Sequence, residues 1–196
     1  MNKIGKVFIG IGGCLILVSS LMLIYGNYEE VEAGVKASNV LSVMKDSINK
    51  NMQTSVKTDV VVQMPTIRIG EYDYIGTIII PRLNLELPVM AEYDYDRLKI
   101  APARYYGSIR TNDLIICAHS YRTHFKYLSS LEQGDKIIIM DVNGNNYIYE
   151  VLEIEVLSSD DVLEMINNEF DLTLYTCTED GIDRVTVRCN RVSDVV

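Results

Sequence analysis

The sequence predicts a mainly β domain, a closed barrel or sandwich of seven or eight short strands, carried behind an N-terminal apolar helix and a polar stalk. Three observations predict it. The chain opens on an uncharged apolar run, continues through a polar segment with helical periodicity, and from Tyr72 onward breaks into β-prone runs separated by turn residues. At 196 residues there is room for one ordinary domain and one short appendage.

The appendage comes first. Val7 to Tyr25 reads VFIGIGGCLILVSSLMLIY, 19 residues without a charge, preceded by Lys3 and Lys6 and followed by Glu29, Glu30 and Glu32. At about 1.5 Å per residue that run crosses a hydrocarbon core, and the lysines favour an inside amino terminus. Residues 1–6 are therefore expected in the cytoplasm, 7–25 as a single-pass signal-anchor, and the rest outside the cell. A cleaved signal peptide is the rival, with Val31-Glu32-Ala33 as a loose cleavage site; the apolar run is long for a signal core and the site lies well beyond it. Ile11-Gly12-Gly13-Cys14 faintly echoes a lipidation box, but about seven apolar residues precede Cys14 and as many follow, so it reads as a membrane-buried cysteine.

Residues 26–70 form the expected stalk. Val40, Leu41, Met44, Ile48 and Met52 recur at near-helical spacing, which predicts an amphipathic helix over about Val35 to Met52. Nothing in its chemistry points at a cleft, so a spacer is expected before a regulatory lid.

The domain over 71–196 follows, with candidate strands Gly76 to Ile80, Leu85 to Met90, Leu114 to Ala118, Lys136 to Asp141, Tyr147 to Leu157, Leu172 to Cys177 and Arg184 to Val192. Asn143-Gly144-Asn145 and Glu179-Asp180-Gly181 mark breaks. Short helices are expected at about Thr123 to Leu131 and Asp160 to Asn167, the second capped by Ser158, Ser159 or Asp160.

The formal net charge of -9, without a lysine- or arginine-rich cluster, argues against nucleic acid or an anionic lipid surface as the main partner. Outside the cell the chain would carry Cys117, Cys177 and Cys189, an odd number, so at least one thiol stays free.

Cys177 ends the run Thr173-Leu174-Tyr175-Thr176-Cys177, and a thiol at a strand end can attack a carbonyl if a base and a cation assist. There are two histidines. His119 ends Leu114-Ile115-Ile116-Cys117-Ala118 and so also sits where a strand emerges; His124 reads as a surface or hydrogen-bonded structural histidine. Alternation places Arg184, Thr186 and Arg188 on one strand face and Val185, Val187 and Cys189 on the other. The valines want the core, so the arginines point away from it. Arg184, nearer the turn from Cys177, is preferred as the guanidinium for a substrate carbonyl or oxyanion, with Arg188 as the fallback. Zinc on Cys117, His119, Cys177 and Cys189 is disfavoured: the spacing lacks paired knuckles and Cys189 faces the core, so no metal is expected. Cys117 reads as a small buried residue under the site.

These stretches together resemble the sortase family, membrane-anchored cysteine transpeptidases of Gram-positive bacterial surfaces. Tyr74 to Val89 (YIGTIIIPRLNLELPV) is similar to the family's first strands, Asn112 to His119 (NDLIICAH) to its histidine strand, Thr173 to Cys177 to its Thr-Leu-x-Thr-Cys motif, and Arg184 to Arg188 to its arginine strand. The resemblance covers about 71–196. It implies an eight-stranded closed barrel with Cys177 as nucleophile, His119 as acid and base partner, Arg184 as the substrate-positioning guanidinium and Thr176 as a residue shaping the substrate groove. It further implies cleavage of a motif similar to Leu-Pro-x-Thr-Gly through a thioester, then transfer to an amine of the cell wall or a pilin lysine, with no cofactor. A plain cysteine endopeptidase using the same residues, and a non-enzymatic anchored surface module, are the alternatives. Lack of a long insert between Tyr147 and Leu172 argues against the sortase class that carries a large helical insert there.

Overall fold

A computed structural model describes residues 3–54 and 64–195. Helix α1 (Lys3–Thr54) is followed by β1 (Ile67–Ile69), β2 (Tyr72–Ile80), β3 (Leu85–Met90), β4 (Ala103–Tyr106), β5 (Leu114–Cys117), β6 (Lys136–Asp141), β7 (Asn146–Leu157), a one-turn helix α2 (Val162–Ile166), β8 (Leu172–Cys177) and β9 (Arg184–Val195). The strands run in the order β1-β2-β3-β4-β5-β8-β9-β7-β6, and β6 also pairs with β2. That last pairing closes β2 to β9 into an eight-stranded barrel, leaving β1 as a short flap hairpinned onto β2. Closure satisfies the edge hydrogen bonds that an open sheet would expose.

Two of the ring's pairings, β3 with β4 and β5 with β8, are parallel, so each needs a long connection. The β5 to β8 crossover contains the β6–β7 hairpin and α2. The interior is filled by alternating apolar residues such as Ile78, Ile80, Val89, Leu114, Ile116, Leu172, Leu174 and Val187. A bulge between Tyr74 and Gly76 shifts the β2 register, so that Tyr74 joins an outer cluster while Ile78 and Ile80 stay inside. Gly76 at φ 147° is required there: a Cβ would stand 2.0 Å from the Met140 carbonyl oxygen.

The outer cluster is a second core. Met44 and Ile48 of α1 pack with Tyr74, Met90, Leu98, Ala103 and Cys117 on the outside of the barrel. Both helical residues are within 2% of full burial. Hence the amphipathic stripe read from the sequence is a docking face, and it has a covered partner.

Several expectations are corrected. The predicted helix over Val35 to Met52 is part of one 52-residue helix, because Gly26 and the polar residues after it offer no proline or cap to stop the turn. Residues 55–63 of the expected stalk lie outside the described residues. Strands β1 and β4 were not anticipated: three and four residues are too few to show a period. The helix expected at Thr123 to Leu131 is a chain of turns ending in a 3-10 turn at Leu128–Ser130. In α2 the N-cap is Asp161, not a residue before it, and its side chain makes no cap bond.

Candidate active site

The thiol, the imidazole and the guanidinium picked out in the sequence meet at one end of β5, β8 and β9. In the antiparallel β8–β9 pair, Cys177 stands directly opposite Arg184. Directly paired residues project to the same face, with Cβ atoms about 5 Å apart. The step between them is short because Thr178 to Asp183 folds into a self-bonded turn: the Thr178 N–H donates to the Asp183 carbonyl at 3.0 Å, and the Gly181 N–H to the Thr178 carbonyl at 2.9 Å. A longer loop would not force this apposition.

β5 lies parallel to β8 with Cys117 beside Tyr175, and the Ala118 N–H donates to the Tyr175 carbonyl at 3.3 Å. Two residues further along both strands are His119 and Cys177, on the same outer face. Cys177, His119 and Arg184 all line one cleft with roughly 180 Å³ of free space. Its lining includes Tyr93, Tyr95 and Tyr105, and Ser158, Asp161, Val162 and Met165 from the segment that follows β7 and from α2.

Cys177 is a half-buried free thiol. The His119 ring is held between two tyrosines: Tyr95 edge-on with centroids 5.3 Å apart, and Tyr121 tilted by 32° at 4.9 Å. Its Nε2 is shielded from solvent and has no hydrogen-bond partner among the described residues. Burial lowers the His119 pKa, the Lys99 ammonium lowers it further, and Glu29 opposes both. The imidazole is therefore neutral at pH 7. Arg184 Nη1 donates to the carbonyls of Asp183 at 3.0 Å and Ile182 at 3.4 Å, which pins the guanidinium at the cleft rim, with no acidic partner among the described residues.

Arg188, the fallback, is elsewhere. It shares the outer face with Arg184, as alternation requires, but it is 1% exposed rather than solvated. Its Nε meets Glu155 at 2.7 Å, Nη1 donates to Thr173 Oγ1 at 3.1 Å, and Nη2 to the Glu164 carbonyl at 3.1 Å. It fastens α2 to the barrel and does not reach the cleft.

Thr176 does not face the groove. It is buried, and its hydroxyl donates to the Ala118 carbonyl at 2.8 Å, tying the residue before Cys177 to the residue before His119. Cys117 lies beneath the site as a free buried thiol whose pKa is pushed up to about 12, chiefly by burial. Cys189 is buried on the core side, also as a free thiol. His124 is neither at the surface nor hydrogen-bonded: it is 1% exposed, and neither ring nitrogen has a partner among the described residues. The tyrosines of the cleft escaped the sequence reading. The signal was present in a chain with 13 tyrosines, five of which gather here: Tyr93, Tyr95, Tyr105 and Tyr175 line the cleft, and Tyr121 packs on His119.

Comparisons with known proteins agree with this architecture. The sortase domain model matches residues 78–192, more than half of the chain. The sortase D of Bacillus subtilis is 23% identical over 184 residues, covering 90% of this chain and 89% of its own. Among solved structures, a sortase D transpeptidase of Clostridium perfringens superimposes with a TM-score of 0.62 at 21% identity, over 81% of this chain and 99% of its own. The sortase C1 of Streptococcus suis gives 0.54 at 26% identity, over 63% and 75%. The chain belongs to the sortase family of cysteine transpeptidases.

Proposed function

We propose that Cys177, His119 and Arg184 carry out acyl transfer on a sorting motif similar to Leu-Pro-x-Thr-Gly. The observation that supports this most is the register that pairs Cys177 with Arg184, at a cleft these two line together with His119. Neutral His119 accepts the Cys177 proton as the sulfur bonds to the scissile backbone carbonyl carbon. Arg184 donates hydrogen bonds to the oxygen that becomes negative. The imidazolium then passes its proton to the departing amine, the C–N bond breaks, and a thioester to Cys177 remains. An incoming amine of the cell-wall peptide, or a pilin lysine, attacks the thioester and gives a proton to His119. The S–C bond breaks and that proton returns to the sulfur. Thr176 serves this reaction as a positioning residue, by fixing the spacing of the two strand ends.

The exposed apolar side chains of α1 between Val7 and Tyr25 fit membrane anchoring, with residues 1–6 inside, 7–25 spanning, and the barrel outside. The substrates are then surface proteins bearing the motif.

The test is a set of sorting-motif peptides incubated with and without an amine, read by mass spectrometry. Cleavage before the glycine, diverted from acid to amide by added amine and abolished in Cys177→Ala, is the expected result. Product that stays hydrolytic at saturating amine would make the chain an endopeptidase. No product, with Cys177 inert to thiol-directed probes, would remove both enzyme readings.

A further inference from the structure

α1 does more than hold the barrel at a fixed height. One turn past its apolar run it meets the loop that follows His119. Glu30 Oε2 accepts from Arg122 Nε at 2.8 Å, Glu30 Oε1 accepts from the Arg122 backbone N–H, and the Glu30 carbonyl accepts from Thr123 Oγ1 at 3.2 Å. Asn27 Oδ1, on the same face, accepts from Arg122 Nη2 at 2.5 Å. The Glu30 side chain is only 13% exposed. Burial alone would raise its pKa, but the hydrogen bonds and charge of Arg122 outweigh that and hold the carboxyl below its ordinary value.

The contact is also close in space. At Gly34, one turn further along α1, a Cβ would stand 2.7 Å from the Thr123 methyl, so only glycine admits the loop at this distance. The loop itself is tight: the Phe125 N–H donates to the His119 carbonyl at 3.3 Å, and the His124 N–H to the Tyr121 carbonyl at 2.9 Å. Tyr121, the neighbour of the gripped Arg122, is one of the two rings holding the His119 imidazole. A chain of contacts thus runs from Glu30 through Arg122 and Tyr121 to His119.

We propose that Glu30 is a positioning residue for His119: by clamping the backbone and side chain of Arg122, the anchor helix holds Tyr121 against the imidazole and keeps it aimed at Cys177. This rests on His119 serving as the acid and base of acyl transfer. A helix that merely stabilised the barrel would act equally well through any of its docking contacts. Lys45 offers that comparison, because it reaches Glu86 of β3 at 2.6 Å, on the same helix but away from the loop.

The full-length chain in detergent micelles is compared as wild type, Glu30→Ala, Glu30→Gln and Lys45→Ala. Two measurements are made: kcat and KM for amide formation from a sorting-motif peptide and an amine, and the NMR signals of 13C-labelled histidine, of which the chain has two. Glu30→Ala should lower kcat about tenfold with KM within about twofold, and move the His119 Cε1–H signal downfield as shielding by Tyr121 is lost. Glu30→Gln, whose amide oxygen can still accept the Arg122 N–H, should recover part of both. Lys45→Ala should leave both unchanged. An unmoved His119 signal in Glu30→Ala, a wild-type kcat, or an equal loss in Lys45→Ala would overturn the proposal. If the wild type forms no amide, the transpeptidase reading fails instead, and the His119 signal alone decides whether Glu30 positions the ring.

Discussion

Replacing Arg188 and Arg184 one at a time by methionine should give opposite phenotypes, and the reason is written in their partners. Arg188→Met removes a cation that is 1% exposed and leaves Glu155, Thr173 and the carbonyls of Glu164 and Met165 without their donor. Breaking a buried pair from one side costs about 3–5 kcal/mol. The Glu155 side chain is 27% exposed and can recover some hydration, so the lower end, about 3 kcal/mol, is expected. At roughly 3–4 °C per kcal/mol for a domain of this size, Tm should fall by about 10 °C. Among the described residues the Arg184 guanidinium bonds to two carbonyls at the cleft rim, so Arg184→Met should change stability by no more than about 0.5 kcal/mol. Its loss should instead reduce peptide cleavage by about 100- to 1000-fold, as for removal of an oxyanion donor. Thermal unfolding followed by circular dichroism reads the first effect. Cleavage rates at a temperature where every variant is folded read the second. An unchanged Tm in Arg188→Met would refute the structural role given to it. A folded Arg188→Met that lost more turnover than Arg184→Met would refute the choice of arginine.

Three further outcomes are expected. His124 is buried neutral, its pKa lowered to about 4 mainly by burial, with His119 adding to the effect and Glu30 opposing it. Between about pH 6.5 and pH 4 the unfolded chain therefore binds a proton that the folded one refuses. Stability should fall as pH drops through that window, by up to about 3 kcal/mol, and be level above it with respect to this group. His124→Phe should flatten that slope in melts taken across the range; an unchanged slope would assign it to other groups. Thr176→Val keeps the shape but orphans the Ala118 carbonyl, so a loss of about 1–2 kcal/mol is expected by urea denaturation, with Thr176→Ser retaining most of it. Gly76→Ala forces a Cβ against the Met140 carbonyl at the strand that closes the ring. It should cost about 3 kcal/mol or more, and a variant with wild-type Tm would show that the bulge can relax.

Much of the fold was legible because its strands are rich in β-branched and aromatic residues and are bounded by turn residues. Leu85 to Met90, Lys136 to Asp141 and Leu172 to Cys177 were found to the residue on that signal. It fails where an element is too short to stand out as a run, as for four-residue β4, and where turns are stabilised by tertiary contacts, as in the loop after His119, which is gripped by Glu30 from far away in the chain. For the site, alternation correctly placed Arg184 and Arg188 on one face. Alternation says nothing about what covers a face, so it could not show that α2 buries Arg188 while leaving Arg184 at the rim.

By itself the sequence determined the apolar N-terminal run, the β character of the domain, and the thiol, imidazole and guanidinium as the groups with chemistry to offer. These are local properties of composition and period, readable without knowing any neighbour. Tertiary structure alone decided that β6 closes on β2, that Thr176 turns inward to bond Ala118, and that tyrosines from separate segments enclose His119. It also turned the expected stalk into a docked helix whose Glu30 carboxylate reaches the loop after His119. Each of these joins residues distant in the chain, and such pairings are selected by the burial of whole faces, which no single segment encodes.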